Sequence, residues 1–408
     1  MMEIICHILR DLEMAENAEI SKEKRKMRIL AFPANTGGCS YYRIIMPMNK
    51  LAEKYPDDVE VRFNFNPMEW DEETRRPPKE GVESEDLEWA DIVFTQNIAN
   101  YGPQYMIDLF KKCREKGKFI HYDTDDLLTD LYRGHRLEKV YRDQRLDELT
   151  KILYHNADLV SVTQGKFAER VMPFVRGTLC VIKNAIDYDL PCWNFPKIKA
   201  PKKVCRVGWV GGIHHEQDVK QIPTIAMGVN AKVGPERVQW GFYGRPTLGP
   251  DEPRDWQQDV WDSYENLLTR GVKHKNTFVF PAAPSHMYGA MYRTIDISIA
   301  PLEWNNFNDS KSEIKAMECG RYGIPLVATN CGCYDEIIEN GVTGYLINKD
   351  NPQPDWVKVM SRLIKDKKHR IELGNNLKAL TDERFNINTH ISERYNLYKR
   401  LLNEKAKN

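Results

Sequence analysis

Residues 204–215 read VCRVGWVGGIHH, an apolar run closed by paired glycines, and residues 27–38 read MRILAFPANTGG, the same arrangement in the first half of the chain. Each run has the unbroken apolar character of a strand buried on both faces of a parallel sheet. Outward from both starts, strand and helix signals alternate. After residue 38 come CSYYRIIMPMNKLAEKY at helical spacing, the strands VEVRFNF and ADIVFTQN, the helix YMIDLFKKCREKG, the strands KFIHYD and ADLVSVT, and the helix GKFAERVMPFV. After residue 215 come VQWGFYG, the helix DWQQDVWDSYENLLTR, the strands TFVFPA and DISIAPL, the helix SKSEIKAMECGRYG and the strand IPLVATN. Such alternation predicts α/β halves with parallel sheets covered on both faces.

A chain of 408 residues exceeds one ordinary core, so two domains of similar size are expected. Residues 1–26 read as an appended helix or an upstream start, 27–190 as a first Rossmann-like domain, and 191–203 (PCWNFPKIKAPKK) as a linker. Residues 204–354 form the second Rossmann-like domain, and 355–408 a helical tail that packs back on the first. With 59 basic and 59 acidic residues there is no net charge to attract a phosphate polymer, so contact with nucleic acid would need local patches. The nine cysteines lack paired CxxC spacing and read as reduced thiols of a cytoplasmic protein. No run approaches the ~18 apolar residues of a membrane span, which predicts no integral membrane contact.

Ligands of open parallel sheets lie beyond the carboxyl ends of the strands, which directs attention to four loops. Gly37 and Gly38, and again Gly211 and Gly212, open backbone amides toward a phosphate or sugar, or make plain tight turns. His215 follows the second pair as a ligand contact or a helix cap. In HYDTDDLL, Asp123, Asp125 and Asp126 either hold a divalent Mg or Mn on a diphosphate or orient an acceptor hydroxyl, or else begin a helix and complement its dipole. In NDSKSEIKAMECG a helix from about Ser310 puts Lys311 and Lys315 on one face, with Glu318 a turn further. Lysines at a helix start meet a diphosphate, and a later carboxylate accepts two ribose hydroxyls; the alternative is a solvated face paired with Glu313.

The run 296–347, with GIPLVATN and DEIIENGVTGYLI, resembles the donor-binding half of GT-B glycosyltransferases in the large retaining, family-four-like group of phages and bacteria. CVIKNAID resembles that family's interdomain "PNG-D" segment. The resemblance implies two domains facing across a cleft, sugar transfer from a nucleotide diphosphate sugar (UDP favoured) and retention of configuration. It assigns ribose binding to Glu318 and puts Ser310 where the family has an earlier glutamate. The arginine and lysine that normally follow the second glycine turn are missing, so Arg245 and Lys311 are the expected cationic clamp, with Asp123 the third catalytic candidate.

For the acceptor, Tyr42, Arg43, Asp125 and Asp126 are expected on the first domain's side. The run 132–145 adds Arg133 and Arg136 in a basic helix interleaved with tyrosines, which is either a phosphate-straddling surface or a solvated face. The favoured acceptor is a 5-hydroxymethyl pyrimidine in double-stranded phage DNA. A surface polysaccharide or lipid-linked glycan is the alternative, and a nucleotide-sugar epimerase or a nonenzymatic nucleic-acid-binding protein are readings from other classes.

Overall fold

The computed structural model describes residues 25–65, 84–97, 102–247, 255–270 and 276–407, so all but the last two residues of the expected N-terminal extension lie outside it. Strands β1 (Met27–Phe32), β2 (Val59–Phe63), β3 (Ile92–Gln96), β4 (Phe119–Asp123), β5 (Leu159–Val162) and β6 (Thr178–Val181) make one parallel sheet, ordered β2-β1-β3-β4-β5-β6. A second parallel sheet is ordered β12-β11-β10-β7-β8-β9. Its strands are β7 (Cys205–Val210), β8 (Val238–Arg245), β9 (Thr277–Pro281), β10 (Ile297–Ala300), β11 (Leu326–Thr329) and β12 (Gly344–Ile347). Two parallel sheets are what the alternation implied, and their pairing in one chain is the GT-B architecture that the resemblance implied. β3, β4, β5, β10 and β11 are buried along their whole length, which explains their lack of polar alternation.

Strand order reverses beside β1 in one sheet and beside β7 in the other, and these switch points are where crevices open. The helix expected after β1 is not regular. A short turn at Gly38–Ser40 leads into a π-helical turn at Tyr41–Ile45 before the α-helix Met46–Lys54. Pro47 has no N–H to offer the Arg43 carbonyl four residues back, so the ladder widens there.

The widened turn carries Arg43 inward. Its Nη2 and Nε donate to both carboxylate oxygens of Asp123 at 2.7 and 2.9 Å, and its Nη1 to the Ile182 carbonyl at 2.5 Å. Both side chains are within 1% of full burial, and Ser161 also donates to Asp123. Asp123 therefore ends its strand as a structural counter-ion, which corrects its assignment as a catalytic group, and four of the five Arg43 N–H donors are committed to the core, although the side chain borders the cavity described below.

The lobes are also joined by apolar contact. Phe307, on the short helix Asn306–Asp309 after β10, is 3% exposed and packs into the first sheet's core with Tyr132 and His135. The last helix, Ile387–Lys405, returns to the first sheet, where Tyr395 stacks on Tyr55 at 3.9 Å and the Tyr398 hydroxyl meets His121 Nδ1 at 2.8 Å.

Removing one partner of a fully buried ion pair strands the other charge at a cost of about 3–5 kcal/mol. Asp123→Ala is thus expected to lower the denaturant midpoint by that equivalent, far more than Asp147→Ala on the surface, as read by urea titration with fluorescence.

Candidate active site

The loops beyond the carboxyl ends of the two sheets enclose a cavity of about 640 Å³. Gly37, Gly38, Gly211 and Gly212 all line it. A Cβ on Gly38 would stand 2.8 Å from the Tyr288 ring, which reaches over from the second lobe. Gly211 passes so close to its neighbours that a Cβ on Gly244, itself at φ +119°, would lie 2.1 Å from the Gly211 carbonyl oxygen. Around Gly212, by contrast, there is nothing within 4 Å of a Cβ, so its backbone faces open space. Gly38 and Gly211 answer close packing, Gly37 meets only the end of the Asn35 side chain, and Gly212 leaves room for a ligand.

Glu318 lies in the second turn of the helix Ile314–Arg321, 2% exposed. It accepts hydrogen bonds from Tyr42 of the first lobe at 3.0 Å and Tyr292 of the second at 2.7 Å, with Lys315 Nζ 3.3 Å away. Burial and the Glu318 charge push both phenols well above their usual range. Tyr42 is therefore a clamp on Glu318 across the cleft, which differs from its expected place as an acceptor contact.

The helix expected to begin near Ser310 begins at Ile314. Asn306–Asp309 is a separate turn, and 310–313 bridge the two. Ser310 is fully buried and donates back to the Asn306 carbonyl at 2.8 Å, so its hydroxyl does not reach the cavity, contrary to the expectation. Lys311 does reach it. Its ammonium is 3.2 Å from Asp126 on the opposite wall and 4.5 Å from the Phe307 ring centroid. Burial pulls its pKa down, but the Asp126 and Asp218 carboxylates outweigh that and raise it. Glu313 pairs with Lys183 of the first lobe at 3.1 Å, and not with the neighbouring lysines.

Asp218 organises the wall after β7. It accepts from His215 Nδ1 at 2.7 Å, the Glu303 backbone at 2.8 Å and Asn308 Nδ2 at 2.7 Å. Burial alone would raise its pKa, yet the His215 hydrogen bond and the charges around it hold the carboxyl below the usual range. His215 thereby has a fixed orientation at the start of Glu216–Val219, facing the cavity with His214.

Other expected residues fall outside this constellation. Arg245 follows the cavity-lining Gly244 but turns away, bonding Gln258 at 2.9 Å and Asp262 at 3.0 Å, which corrects its place in a cationic clamp. Asp125 and Asp126 line the cavity in an irregular turn, and no helix begins there. Asp125 accepts from Asn97 at 3.3 Å, and burial followed by the Asp126 charge raises its pKa. Because Asp126 already has Lys311 as its counter-ion, the pair does not fit a divalent metal. Among the described residues no group of three His, Cys, Asp or Glu side chains is disposed to hold one.

The basic run is not one helix either. Residues 132–137 are turns and the helix spans Glu138–Asp143. Arg136 pairs with Glu216 at 3.1 Å and covers the Trp256 ring, Arg142 and Arg145 pair with Glu138 and Glu148, and Arg133 is exposed and does not line the cavity. A phosphate-straddling stripe is therefore not formed.

Sequence reasoning missed Cys39, Asn184, Trp209, Tyr288 and Ser312, all lining the cavity. Asn184 was within reach, since it lies in the KNAID segment and donates to Ser312 at 3.0 Å across the cleft. Tyr288 comes from the 3-10 helical segment Ser285–Thr294, which carries no motif, and only its contact with Gly38 reveals it.

Comparison with known proteins bears on this geometry. Residues 204–366, the second sheet and its flanks, match the family described as "Glycosyl transferases group 1". A stretch of 114 residues is 31% identical to D-inositol 3-phosphate glycosyltransferase of Corynebacterium glutamicum, covering 28% of this chain and 26% of that protein. The protein of the same description from Streptosporangium roseum is 30% identical over 86 residues, 21% of this chain and 18% of that one. The matched stretches span about a quarter or less of these relatives. Among solved structures, sucrose-phosphate synthase from Thermosynechococcus elongatus superposes with a TM-score of 0.70 at 14% identity, covering 93% of this chain and all of that one. Anabaena HepE in complex with UDP-glucose gives 0.59 at 15% identity over 92% of this chain and 100% of the other. These two share the fold.

One pH effect follows. His135 is 8% exposed, and burial above all lowers its pKa from the usual 6.5 to about 4. The unfolded imidazole takes up a proton that the folded one refuses, so stability is lost as pH falls from about 6.5 toward 4, by about 3 kcal/mol at the lower end. His135→Gln is expected to flatten that limb of a urea-midpoint-against-pH curve.

Proposed function

We propose that this chain transfers a sugar from a nucleotide diphosphate sugar, UDP-linked by preference, to an acceptor hydroxyl presented from the β1–β6 side of the cavity, with retention of configuration and in the cytoplasm. The observation that carries the reading is Glu318, buried at the cavity floor behind Lys311 and Lys315 at the start of the Ile314–Arg321 helix. The family match over 204–366 and the neighbour crystallised with UDP-glucose support it.

Cleaving a sugar–diphosphate bond puts negative charge on the departing phosphates. Lys311, Lys315 and the unpaired amides of the Ile314 helix start are in place to stabilise that charge in a site shielded from water. The Glu318 carboxylate exchanges its tyrosine and lysine donors for two ribose hydroxyls. When the diphosphate engages Lys311, Asp126 is freed to face the acceptor.

The acceptor reading shifts with the structure. Among the features read toward a DNA pyrimidine was the 132–145 run, in which Arg136, Arg142 and Arg145 are paired with carboxylates. The wall facing the acceptor carries Asp125 and Asp126, and such charge repels a phosphate backbone but accepts hydrogen bonds from neutral hydroxyls. We therefore favour a glycan or polyol over a 5-hydroxymethyl pyrimidine.

The test combines binding and turnover. UDP at a hundred times its dissociation constant stabilises by ~2.7 kcal/mol in a thermal shift, and Glu318→Ala removes most of this. With radiolabelled UDP-sugars, Lys311→Ala is expected to lower kcat about 100-fold or more. Absence of any shift with UDP, GDP or ADP sugars overturns the reading. Conversion of donor with no acceptor replaces transfer by epimerisation, and label on hydroxymethylcytosine DNA but not on oligosaccharides restores the DNA acceptor.

A further inference from the structure

A second concavity, of about 850 Å³, lies at the other end of the second sheet, where Val204, Arg237 and Asp296 stand just before β7, β8 and β10. One wall is the linker 191–203 and the other is made by the helices Pro352–Lys365 and Lys367–Arg384. Six exposed lysines line it: Lys197, Lys199, Lys202, Lys203, Lys365 and Lys367. None of the six is paired with a carboxylate among the described residues. The one carboxylate in the lining, Asp296, accepts from the Arg206 backbone at 2.9 Å. In a chain whose formal charges cancel, this is a marked segregation of positive charge, which favours a bound anion.

The same groove exposes two large aliphatic side chains. Ile198 on the linker wall and Ile371 on the helical wall are 47% and 48% exposed, and both belong to the lining. The Ile198 backbone is pinned by its N–H to the Arg293 carbonyl at 2.8 Å and by its carbonyl to Arg206 Nη1 at 3.1 Å, so the side chain is held outward. A soluble polyanion has no use for aliphatic tips. A nucleic acid strand would want open aromatic faces, but Trp193 and Tyr322 are at most 9% exposed and Phe195 is covered by the Arg293 guanidinium.

We infer that this groove docks the protein on the surface of a bilayer rich in anionic phospholipid, with the lysines on the headgroup phosphates and Ile198 and Ile371 dipping into the acyl boundary. Lysines near an anionic leaflet add up in strength and fade with salt, and aliphatic tips add a salt-resistant part. Because the groove opens at the strand ends opposite the sugar-nucleotide cavity, docking leaves the cavity loops free. The inference is independent of the transferase reading.

Co-sedimentation of the full chain with phosphatidylcholine vesicles, with and without phosphatidylglycerol, tests it. Binding is expected only with phosphatidylglycerol and to weaken with added salt. Replacing Lys197, Lys199, Lys202 and Lys203 together by Gln should reduce the partition coefficient at least ~100-fold. The Ile198→Ser, Ile371→Ser double variant should lose several-fold on vesicles while keeping its affinity for soluble inorganic polyphosphate. Equal binding to neutral vesicles, or an isoleucine variant that loses nothing on vesicles, overturns the proposal. All six substitutions are at exposed positions, so UDP thermal shift on the same variants separates misfolding, and failure of the transferase reading, from failure of docking.

Discussion

A guanidinium buried against a carboxylate, Arg43 on Asp123, holds together the first lobe's contribution to the cavity. The pair joins the turn after β1 to the end of β4, and through the Ile182 carbonyl and Asn184 it reaches the segment after β6. Cys39, Tyr42, Asp125, Asp126 and Asn184 all come from those three loops. Two desolvated charges repay their burial only with good geometry and further hydrogen bonds, and here Arg43 has four donor contacts and Asp123 has Ser161 besides. The loops are thus placed by a core interaction, before any ligand arrives.

The cavity's remaining charges are held in reserve in the same way. Lys311 has Asp126, Lys315 has Glu318, and His215 has Asp218. Each pair holds a cavity-lining group in a fixed orientation in a poorly solvated space, and each partner is exchangeable for a phosphate or hydroxyl. Three of the links, Tyr42 to Glu318, Asp126 to Lys311 and Asn184 to Ser312, run between the lobes, so the reserve arrangement also fixes how the two walls face each other.

The fold was legible because short apolar runs bounded by turn residues alternate with longer segments at helical spacing, and the duplicated glycine turns marked both switch points. Cavity-lining residues were legible where chemistry and position coincide, as at Lys311, Glu318 and Gly212. Asp123, Arg43, Ser310 and Arg245 misled for a common reason. A polar side chain beside a cavity can face either the cavity or the core, and the choice depends on partners remote in sequence, such as Gln258 for Arg245. The break at 310–313 was hidden because helical spacing of lysines persists across it. Tyr288 left no trace, since an aromatic residue in a 3-10 helical connection follows neither the helical nor the strand period.

Phe307 joins the two halves in a way that bears on how the molecule would breathe. Its ring belongs by sequence to the rear half and by packing to the front one, so the halves cannot part about the linker as free flaps without drawing an oily plug from its socket. Small rocking about that plug is the motion left open, with the glycine turns sliding past Tyr288. Attachment of this kind slackens on cooling, whereas the ionic links beside it do not, so the seam between the halves is most easily unfastened in the cold.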